Sequence, residues 1–320
     1  MPMAAFLLQR LAGLLGVLLG MSLLIFGIIH ILPGNVAYAI LGEFATPAAV
    51  AQLEAKLGLN DPLPLQYWHW LEAMLHGDFG QSLVMNKPAA ELIGEALGRS
   101  ALLAGFSFIL VALGGIALGL YAATHRGQTS DRVLSFVQFA LLAIPEFFWA
   151  IVAVLVFASV LNLLPATGYA PLSDGIGSWA AHLVLPVLVL SFGLVAHVSR
   201  LTRSSMIEVL DSRYVLAARA RGFAERRVLW RHALPNALLP AITVLAIDAG
   251  LLIGGIVVIE TVFAYPGLGR LLVFAIERHD LPLLQVGMMV VTTIYALANF
   301  VAEILYAVLN PRIRVGGAAA

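Results

Sequence analysis

The sequence predicts an all-α polytopic membrane protein with six transmembrane helices. Hydrophobic residues make up 61% of its 320 residues and charged residues only 11%, against roughly 45–50% and about 25% in soluble globular proteins. The mean hydropathy is correspondingly high, at +0.96. The apolar residues are gathered into six runs, most of them near the ~20 residues that a helix needs to cross about 30 Å of hydrocarbon. These runs cover residues 8–30, 100–122, 133–161, 183–198, 237–259 and 284–308.

Each run favours a helix over a barrel strand, because its residues are continuously apolar instead of alternating with polar ones. The first run follows a short tail with one charge, Arg10, as a signal peptide does. It is too long for a signal peptide, and no small-residue cleavage site follows it, so we predict a retained helix. The fourth run is the shortest and contains Pro186, which leaves its ends the least sharply defined.

The distribution of lysine and arginine predicts that both termini are cytoplasmic. In this orientation the inner side carries thirteen basic residues, eight of them arginines between Arg200 and Arg231. The outer side carries eleven acidic and five basic residues, the latter being Lys56, Lys87, Arg99, Arg270 and Arg278. This asymmetry agrees with the positive-inside rule. The chain has no cysteine, which excludes disulfides and thiolate metal sites.

The predicted spans divide the chain into four stretches. Residues 1–32 form an N-terminal tail and the first helix, and residues 33–98 form an extracytoplasmic cap. Residues 99–310 form a core of five helices with a basic cytoplasmic loop, and residues 311–320 form a C-terminal tail. We expect the core to cross the membrane and the cap to lie outside it.

The predicted cap has the composition of a small soluble segment. Residues 57–62, Leu-Gly-Leu-Asn-Asp-Pro, indicate a helix end followed by a turn. Trp68 and Trp70 are expected at the membrane interface or packed within the cap, because amphipathic rings partition there. Two further outer segments, residues 162–182 and 261–283, are rich in proline, glycine and turn residues. We interpret them as loops that gate the protein or receive a partner.

The basic inner loop covers residues 200–235. Stretches 199–210 and 214–220 have helix-forming composition, and Gly222 can close the second helix because glycine tolerates positive φ. Pro235 is then expected to start the next span, since proline is favoured in a first helical turn.

Two interpretations of the surface of this loop remain open. Ala217 and Ala218 would present a small, smooth face flanked by Arg219 and Arg221, which suits insertion of a short helix into a groove on another protein. Alternatively, the arginines bind anionic lipid headgroups, with a contribution of about 1 kcal/mol each.

The same loop resembles the EAA loop of ABC importer permeases. Residues 216–222, Leu-Ala-Ala-Arg-Ala-Arg-Gly, are followed after nine residues by His232-Ala233-Leu234-Pro235. The family pattern is Glu-Ala-Ala, three residues, Gly, nine residues, Ile, one residue, Leu-Pro. Leu216 stands in place of the Glu and His232 in place of the Ile, as is usual in the dipeptide, oligopeptide and nickel importer branch. Tyr214-Val215 and Asn236-Ala237 extend the resemblance to that branch.

Further matches run along nearly the whole chain and are specific as an ordered set. They are Leu32-Pro33-Gly34, Leu57-Gly58-Leu59 with Gln66-Tyr67, Gly77-Asp78-Phe79-Gly80-Gln81-Ser82, Ile144-Pro145, Leu164-Pro165-Ala166-Thr167-Gly168, Glu260-Thr261-Val262-Phe263 and Pro266-Gly267-Leu268-Gly269.

The resemblance implies the type I ABC importer permease architecture in a multi-pass protein of the bacterial inner membrane. It implies four partners in addition to membrane lipid: a second homologous permease subunit, two cytoplasmic ABC ATPase subunits and an extracytoplasmic solute-binding protein. It also assigns contact with an ATPase to the loop. The residues implied are Ala217, Ala218, Arg219, Arg221, Gly222, Leu234 and Pro235.

The chain itself is expected to be neither an enzyme nor a nucleic-acid-binding protein. It has no G-x-x-x-x-G-K-[ST] motif, and its only lysines, Lys56 and Lys87, fall in the predicted outer segment, where ATP is absent. ATP and Mg²⁺ are therefore expected on the partner ATPase subunits, and no cofactor on this chain. Closure of the ATPase dimer would then drive the spans from inward-facing to outward-facing.

Ionisable residues inside the predicted spans are candidates for the translocation path, because burying them is costly. Glu146 follows Pro145 near the middle of the third run, and Asp248 lies near the middle of the fifth. With Asn299 of the sixth run, they would line a path with negative potential that favours a cationic solute. The alternative is structural: Glu146 bonds backbone groups freed by Pro145, and Asp248 holds a neighbouring helix. Glu303 is expected to be structural.

Histidines and small residues near the spans are interpreted as structural. No histidine pair has the i, i+4 spacing of a metal site, so we expect no metal at His30, His182 or His197. Glycines with small-xxx-small spacing let helices approach closely. They are Gly114, Gly115 and Gly119 in the second run, and Gly250, Gly254 and Gly255 in the fifth.

A secondary transporter or channel without an ATPase is the alternative function. Such a protein is expected to have an internal repeat or matching broken helices, and the sequence has no convincing one. A membrane-embedded enzyme is disfavoured because H-E-x-x-H and G-x-S-x-G are absent. The sequence does not name the solute, since dipeptides, oligopeptides, glutathione, opines and nickel complexes all pass through similar permeases.

Overall fold

The computed structural model describes residues 3–31, 38, 45–56 and 60–309, and these residues are overwhelmingly helical. Among them the only β pairing is an isolated bridge between Gln81 and Pro88. The prediction of an all-α fold is confirmed. The principal helices are α1 Met3–Ile31, α2 Pro47–Lys56, α3 Leu63–Leu75, α4 Ala89–Thr124, α5 Thr129–Ala143, α6 Glu146–Ala153, α7 Ile176–Leu210, α8 Arg213–Ala220, α9 Leu234–Val262, α10 Leu268–Glu277 and α11 Leu281–Leu309.

The described residues contain six candidate membrane spans when one bent pair of helices is counted as a single span. Helices α1, α4, α7, α9 and α11 are each long and apolar enough to cross a bilayer. The third predicted span, residues 133–161, is not one continuous helix: α5 and α6 meet at a bend of 108°. Proline causes the break, because Pro145 lacks an N–H and forces the preceding Ile144 into an extended conformation, with φ −102° and ψ 130°.

Helix α7 is twice as long as the fourth predicted span. It runs for 35 residues from Ile176 to Leu210 and contains Pro186 in its interior. Polar residues at both ends had limited the prediction to residues 183–198, but helical hydrogen bonding continues through polar sequence. The first turns of the basic loop are therefore an extension of a spanning helix.

Pro235 lies in the first turn of the α-helix Leu234–Val262, as the sequence predicts, but helical structure begins before this helix. A helical turn at Glu225–Arg227 and a π-helix at Val228–Ala233 precede α9 without interruption. The residues from Glu225 to Val262 thus form one 38-residue helical stretch. A wider π-helical turn before proline accommodates the ring and the missing N–H donor.

The outer segment 261–283, predicted as a loop, contains helix α10. This helix has only ten residues, too few for a membrane span, and was therefore not predicted. Its Leu268, Leu272 and Ala275 are buried. Helix α2 covers Pro47–Lys56, and the helix end predicted from residues 57–62 falls partly on residues outside the described ones. Leu57-Gly58-Leu59 and Leu32-Pro33-Gly34 lie outside the described residues, as do Arg312 and Arg314.

The chain divides into two compact units. The first comprises residues 1–8, 100–266 and 297–320, and its core lies mainly between α7, α9 and the α5–α6 pair. The second comprises residues 9–99 and 267–296, and its core joins the start of α4 to α10 and α11. The four stretches predicted above were defined by the expected membrane topology, whereas these two units are defined by contacts within the structure. The four-stretch division therefore stays a prediction.

Glycines bring α4 and α7 into close contact, as their spacing predicts. A Cβ added to Gly115 would lie 2.8 Å from Val198, and one added to Gly119 would lie 2.5 Å from the carbonyl oxygen of Ser199. These two positions accommodate only glycine, so the backbones of the two helices approach closely.

Candidate coupling loop and translocation residues

Helix α8 is closed at its C-terminus by Gly222, as the sequence predicts. Gly222 has φ +79°. Its N–H donates to the carbonyl of Arg219 at 2.9 Å, and the N–H of Phe223 donates to the carbonyl of Ala218 at 3.4 Å. This is the Schellman arrangement, in which a residue of positive φ turns the chain sharply away from the helix. The loop therefore presents a discrete helix of two turns.

The two alanines of the motif lie on different sides of α8. Ala217 is exposed, whereas Ala218 is only 7% exposed and packs with Val215 and Met206 inside the protein. The expectation that both alanines form one surface is wrong, because successive helical residues point about 100° apart. The free face of α8 is instead made by Leu216, which is 53% exposed, with Ala217 and Ala220.

Arg219 braces the turn that follows α8. Its Nε and Nη2 donate to the two carboxylate oxygens of Glu225 at 3.1 and 2.6 Å. The hydrogen bonds to Glu225 raise the pKa of Arg219 above its ordinary value. Arg221, by contrast, is exposed and forms no ion pair with any described residue. The sequence analysis missed Glu225, although an acidic residue six positions beyond Arg219 across a glycine turn was a usable signal.

The second half of the motif connects α8 to α9. Asn236 donates from Nδ2 to the Tyr214 hydroxyl at 3.1 Å and to the carbonyl of His232 at 3.0 Å. His232 also stacks on Phe223, with ring centroids 5.4 Å apart. Leu234 is half-buried and Pro235 is exposed. These residues position α8 against the spanning helix.

Polar contacts also support the loop from the neighbouring helices. Arg203 donates to both carboxylate oxygens of Asp131, at 2.7 and 2.8 Å, and the N–H of Gly127 donates to the same carboxylate. Two turns further along α5, Gln138 donates to the hydroxyl of Ser199 at 2.7 Å. Because both contacts join α5 to α7, the base of the loop is fixed to the core.

Glu146 lies at the contact between α6 and α9. It is the first residue of α6 and is half-buried. A Cβ added to Gly255 would lie 2.9 Å from Oε2 of Glu146, so the glycine makes room for the carboxylate. The carboxylate accepts no hydrogen bond from a described residue. The proposed bonding to backbone groups next to Pro145 is therefore not seen among these residues.

Asp248 is buried beside α7 with one carboxylate oxygen unused. Its Oδ1 lies 3.3 Å from Nδ1 of His197. Its Oδ2 is buried and has no hydrogen-bond partner among the described residues. The His197 side chain is 50% exposed, so the pair is accessible from one side. The sequence analysis named both residues but did not pair them.

The two acidic residues lie along one seam between α7 and α9. Gly255 and Asp248 of α9 are seven residues apart, and so are Leu190 and His197 of α7. Leu190 approaches the level of Gly255, and His197 pairs with Asp248. A seven-residue interval corresponds to two helical turns, or about 10 Å along the axis.

The remaining sequence candidates occupy less distinctive positions. Asn299 and Glu303 are half-buried on α11. Two histidines bond to their own helices: Nδ1 of His30 lies 2.8 Å from the carbonyl oxygen of Phe26, and Nδ1 of His182 lies 2.8 Å from that of Ser178. Trp68 is 61% exposed, whereas Trp70 packs on Phe26.

Two further acids are buried, a position that the sequence did not predict, although Glu260 belongs to one of the motifs of the family resemblance. Glu260 is fully buried and accepts a hydrogen bond from Ser100. Asp280 is fully buried and accepts hydrogen bonds from the hydroxyl of Ser82 and from the N–H groups of Leu83 and Val84. Both acids flank apolar runs, which was the available signal. Their hydroxyl partners are 160 and 198 residues away in the sequence, so the pairing could not be predicted locally.

Two family models match the chain. The model of the binding-protein-dependent transport system inner membrane component matches residues 115–315. The model of the N-terminal part of the same membrane components matches residues 3–95. The chain belongs to this family. It is an inner-membrane permease subunit of a binding-protein-dependent ABC importer.

Curated relatives cover the permease subunit almost completely. A probable peptide ABC transporter permease of Sinorhizobium fredii is 36% identical over 98% of this chain and 100% of its own length. A dipeptide transport system permease of Alkalihalophilus pseudofirmus is 37% identical over 98% of this chain and 100% of its own length. A glutathione transport system permease of Salmonella typhi is 36% identical over 98% of this chain and 99% of its own length.

Family membership accounts for the location of this permease subunit. It is a multi-pass protein of the bacterial inner membrane, in agreement with its apolar helices. The longer family match includes α8, Glu146 and Asp248. The candidate coupling loop, residues 200–235, and the α7–α9 seam thus lie within the longer family match.

Proposed function

We propose that this permease subunit forms one half of the translocation path of an ATP-driven importer for peptides or related small solutes. The relatives named for peptide, dipeptide and glutathione transport support this substrate class. The complete importer contains a second homologous permease subunit, two cytoplasmic ABC ATPase subunits and an extracytoplasmic solute-binding protein. Both termini of this subunit face the cytoplasm, in line with the excess of arginine in the 200–235 loop.

The proposed coupling role rests on one observation, the separate helix α8 with its exposed outer side. It is a separate helix of eight residues whose inner side is anchored by Val215 and Ala218. Its outer side exposes Leu216, Ala217 and Ala220. These uncharged side chains form a surface that fits a groove on an ATPase subunit. Because its inner side packs against α7 and α9, a movement of the ATPase groove that holds α8 also moves these two helices.

ATP and Mg²⁺ bind to the ATPase subunits, and this chain supplies no cofactor site. Its two lysines, Lys56 and Lys87, belong to the outer segment under the proposed orientation. For ATP to drive transport, each nucleotide state of the ATPases must bind the two permease conformations with different affinity, because a ligand shifts an equilibrium only by that difference.

The α7–α9 seam provides the cation-favouring part of the path. The Oδ2 of Asp248 is buried without a hydrogen-bond partner among the described residues, and the carboxylate of Glu146 lies beside Gly255 on the same seam, so a rearrangement of α7 and α9 during transport would bring both to a solute. Two acidic groups placed at levels about two helical turns apart on α9 suit the ammonium group and a basic side chain of one short peptide, or the ammonium groups of successive peptides. Asn299 is the third candidate on this path.

Reconstituted transport tests the proposal. The chain is purified with its candidate permease, ATPase and binding-protein partners, and uptake of a panel of peptides and of Ni²⁺ into liposomes is measured with and without ATP. Gly222→Asp is compared with Gly77→Asp, because both glycines have φ near +80° and open space around them. We expect ATP-dependent uptake that is lost only in Gly222→Asp. Uptake that persists without ATPase subunits would favour a secondary transporter or channel instead.

A further inference from the structure

An apolar groove runs along the surface of α4. Its volume is about 520 Å³, and residues of α4 from Ala112 to Thr124 form one wall. The other wall comes from the π-helix and the start of α9, through Leu229, Trp230 and Leu234. Twelve residues of helix correspond to about 18 Å, so the groove follows a candidate spanning helix for about 18 Å.

A cluster of arginines lies next to one end of this groove. Arg226, Arg227 and Arg231 line a second pocket, and Trp230 lines both the groove and this pocket. All three arginines are exposed. Arg226 and Arg231 form no ion pair with a described residue, and the guanidinium of Arg227 rests on the ring of Phe223. The indole of Trp230 therefore separates an apolar surface from a cationic one.

Aromatic residues place this junction at the level of the membrane interface. Trp230 is 58% exposed and Tyr121, on the opposite wall of the groove, is 45% exposed. Tryptophan and tyrosine are enriched at this level because their rings are apolar and their N–H or O–H groups reach water. A ligand that fits both surfaces has an apolar chain and an anionic head.

We propose that this surface is a binding site for an anionic phospholipid. The acyl chain lies in the groove beside Leu113 and Ile116, and the phosphate contacts Arg226 and Arg231. Arginine suits this role because its guanidinium donates two parallel hydrogen bonds to a phosphate. The inference rests on the membrane location of the family and not on the proposed contact of α8 with an ATPase.

The proposal divides the arginines of the loop between two partners. Arg219 is engaged with Glu225 and Arg221 lies beside the free end of α8, whereas Arg226 and Arg231 border the groove. Lipid binding and protein docking, the two interpretations left open by the sequence, thus use different residues of one loop.

Quenching of tryptophan fluorescence by brominated lipid tests the site in the complete transporter. The complex is reconstituted in phosphatidylcholine bilayers that contain a small fraction of either brominated phosphatidylglycerol or brominated phosphatidylcholine. The contribution of Trp230 is the quenching that disappears in Trp230→Phe. We expect brominated phosphatidylglycerol to quench Trp230 at several-fold lower mole fraction than brominated phosphatidylcholine.

Two variants address the two halves of the site. Arg226→Gln combined with Arg231→Gln is expected to reduce the preference for phosphatidylglycerol at least about five-fold, the ratio that corresponds to roughly 1 kcal/mol for a basic residue near the membrane. Arg132→Gln combined with Arg213→Gln, which removes two exposed arginines away from the groove, is expected to preserve it. Ala117→Phe fills the groove from an exposed position and is expected to reduce quenching by both lipids.

Three results would overturn the proposal. Equal quenching by the two lipids would show that the head group is not recognised. An unchanged preference in the variant that combines Arg226→Gln with Arg231→Gln would place the recognition elsewhere. Quenching of Trp230 that occurs only after the ATPase subunits are removed would show that a protein, and not a lipid, occupies the surface in the complete transporter.

Discussion

Arg203 of α7 donates two hydrogen bonds to the carboxylate of Asp131 at the start of α5, and this pair fixes the base of the coupling loop. The carboxylate side chain is only 4% exposed, whereas that of Arg203 is 28% exposed. The same carboxylate accepts the N–H of Gly127. The contact therefore links the start of α5 directly to α7 near the beginning of the basic loop.

Removal of Arg203 is expected to destabilise the protein and to weaken coupling. Arg203→Ala leaves a buried carboxylate without its main partner, at a cost of about 2–3 kcal/mol. The midpoint of thermal unfolding of the detergent-purified complex measures this loss. Arg126→Ala is the matched control, because the Arg126–Asp211 pair is exposed on both sides and contributes less than about 1 kcal/mol. Equal effects of the two substitutions would contradict this ranking.

Close packing of α4 on α7 predicts a strong response at Gly119. Gly119→Ala would place a Cβ 2.5 Å from the Ser199 carbonyl oxygen and 2.6 Å from Cβ of Thr202. The helices must separate, at a cost of about 1–3 kcal/mol. Gly105→Ala in the same helix meets no atom within 4 Å and is expected to be neutral or stabilising by up to about 1 kcal/mol. The unfolding midpoints of the two variants check the difference, and a Gly119→Ala protein as stable as the original would refute the packing argument.

Asp280 is expected to hold the segment around Ser82 in place. Asp280→Ala leaves the N–H groups of Leu83 and Val84 without their acceptor, at a cost of about 2–4 kcal/mol. Amide hydrogen exchange of residues 82–86 measures the effect, and we expect it to accelerate more than about ten-fold, since each 1.4 kcal/mol is a factor of ten.

Asp78 provides the control for this experiment. Its carboxylate accepts one N–H, that of Gly80, on the exposed surface. Asp78→Ala is therefore expected to change exchange of residues 82–86 by less than about five-fold. Similar acceleration in both variants would show that the segment is not organised from Asp280.

Charge removal on the α7–α9 seam is expected to discriminate between solutes. Glu146→Gln and Asp248→Asn each remove a negative charge but keep the shape of the side chain. If these groups contact the solute, uptake of peptides with a free amino terminus falls about ten-fold, while uptake of amino-terminally blocked neutral peptides is preserved. Reconstituted uptake of matched peptide pairs checks this. Parallel loss for both peptides would indicate that the acidic residues are structural.

Local signals in the sequence were sufficient for the fold class and for the end of helix α8. Long apolar runs predicted the spans, because the thickness of the hydrocarbon sets the length of a spanning helix. Gly222 marked the end of α8, because positive φ is a property of the residue itself. The motif from Leu216 to Pro235 indicated the family without any knowledge of the fold.

Helix boundaries were less predictable, because hydropathy reports the environment of a segment and not its hydrogen bonding. Helix α7 continues through polar sequence to Leu210, and the helical stretch of α9 begins at Glu225, ten residues before Pro235. Proline also acted in two ways: Pro145 accompanies a bend of 108°, whereas Pro186 lies within a continuous helix. The packing of neighbouring elements decides between these outcomes, and one sequence does not contain that information in local form.

What the sequence by itself determined about this protein is therefore its class, its family and the motif from Leu216 to Pro235. Only the tertiary structure decided which of those residues face outward and which acids have partners. Ala218 is buried while its neighbour Ala217 is exposed, and Asp248 pairs with His197, 51 residues away. The physical reason is that burial and long-range pairing depend on which helices pack together. The periodicity of hydrophobic residues along one helix indicates that the helix has a buried face, but the neighbouring helices determine which side that is.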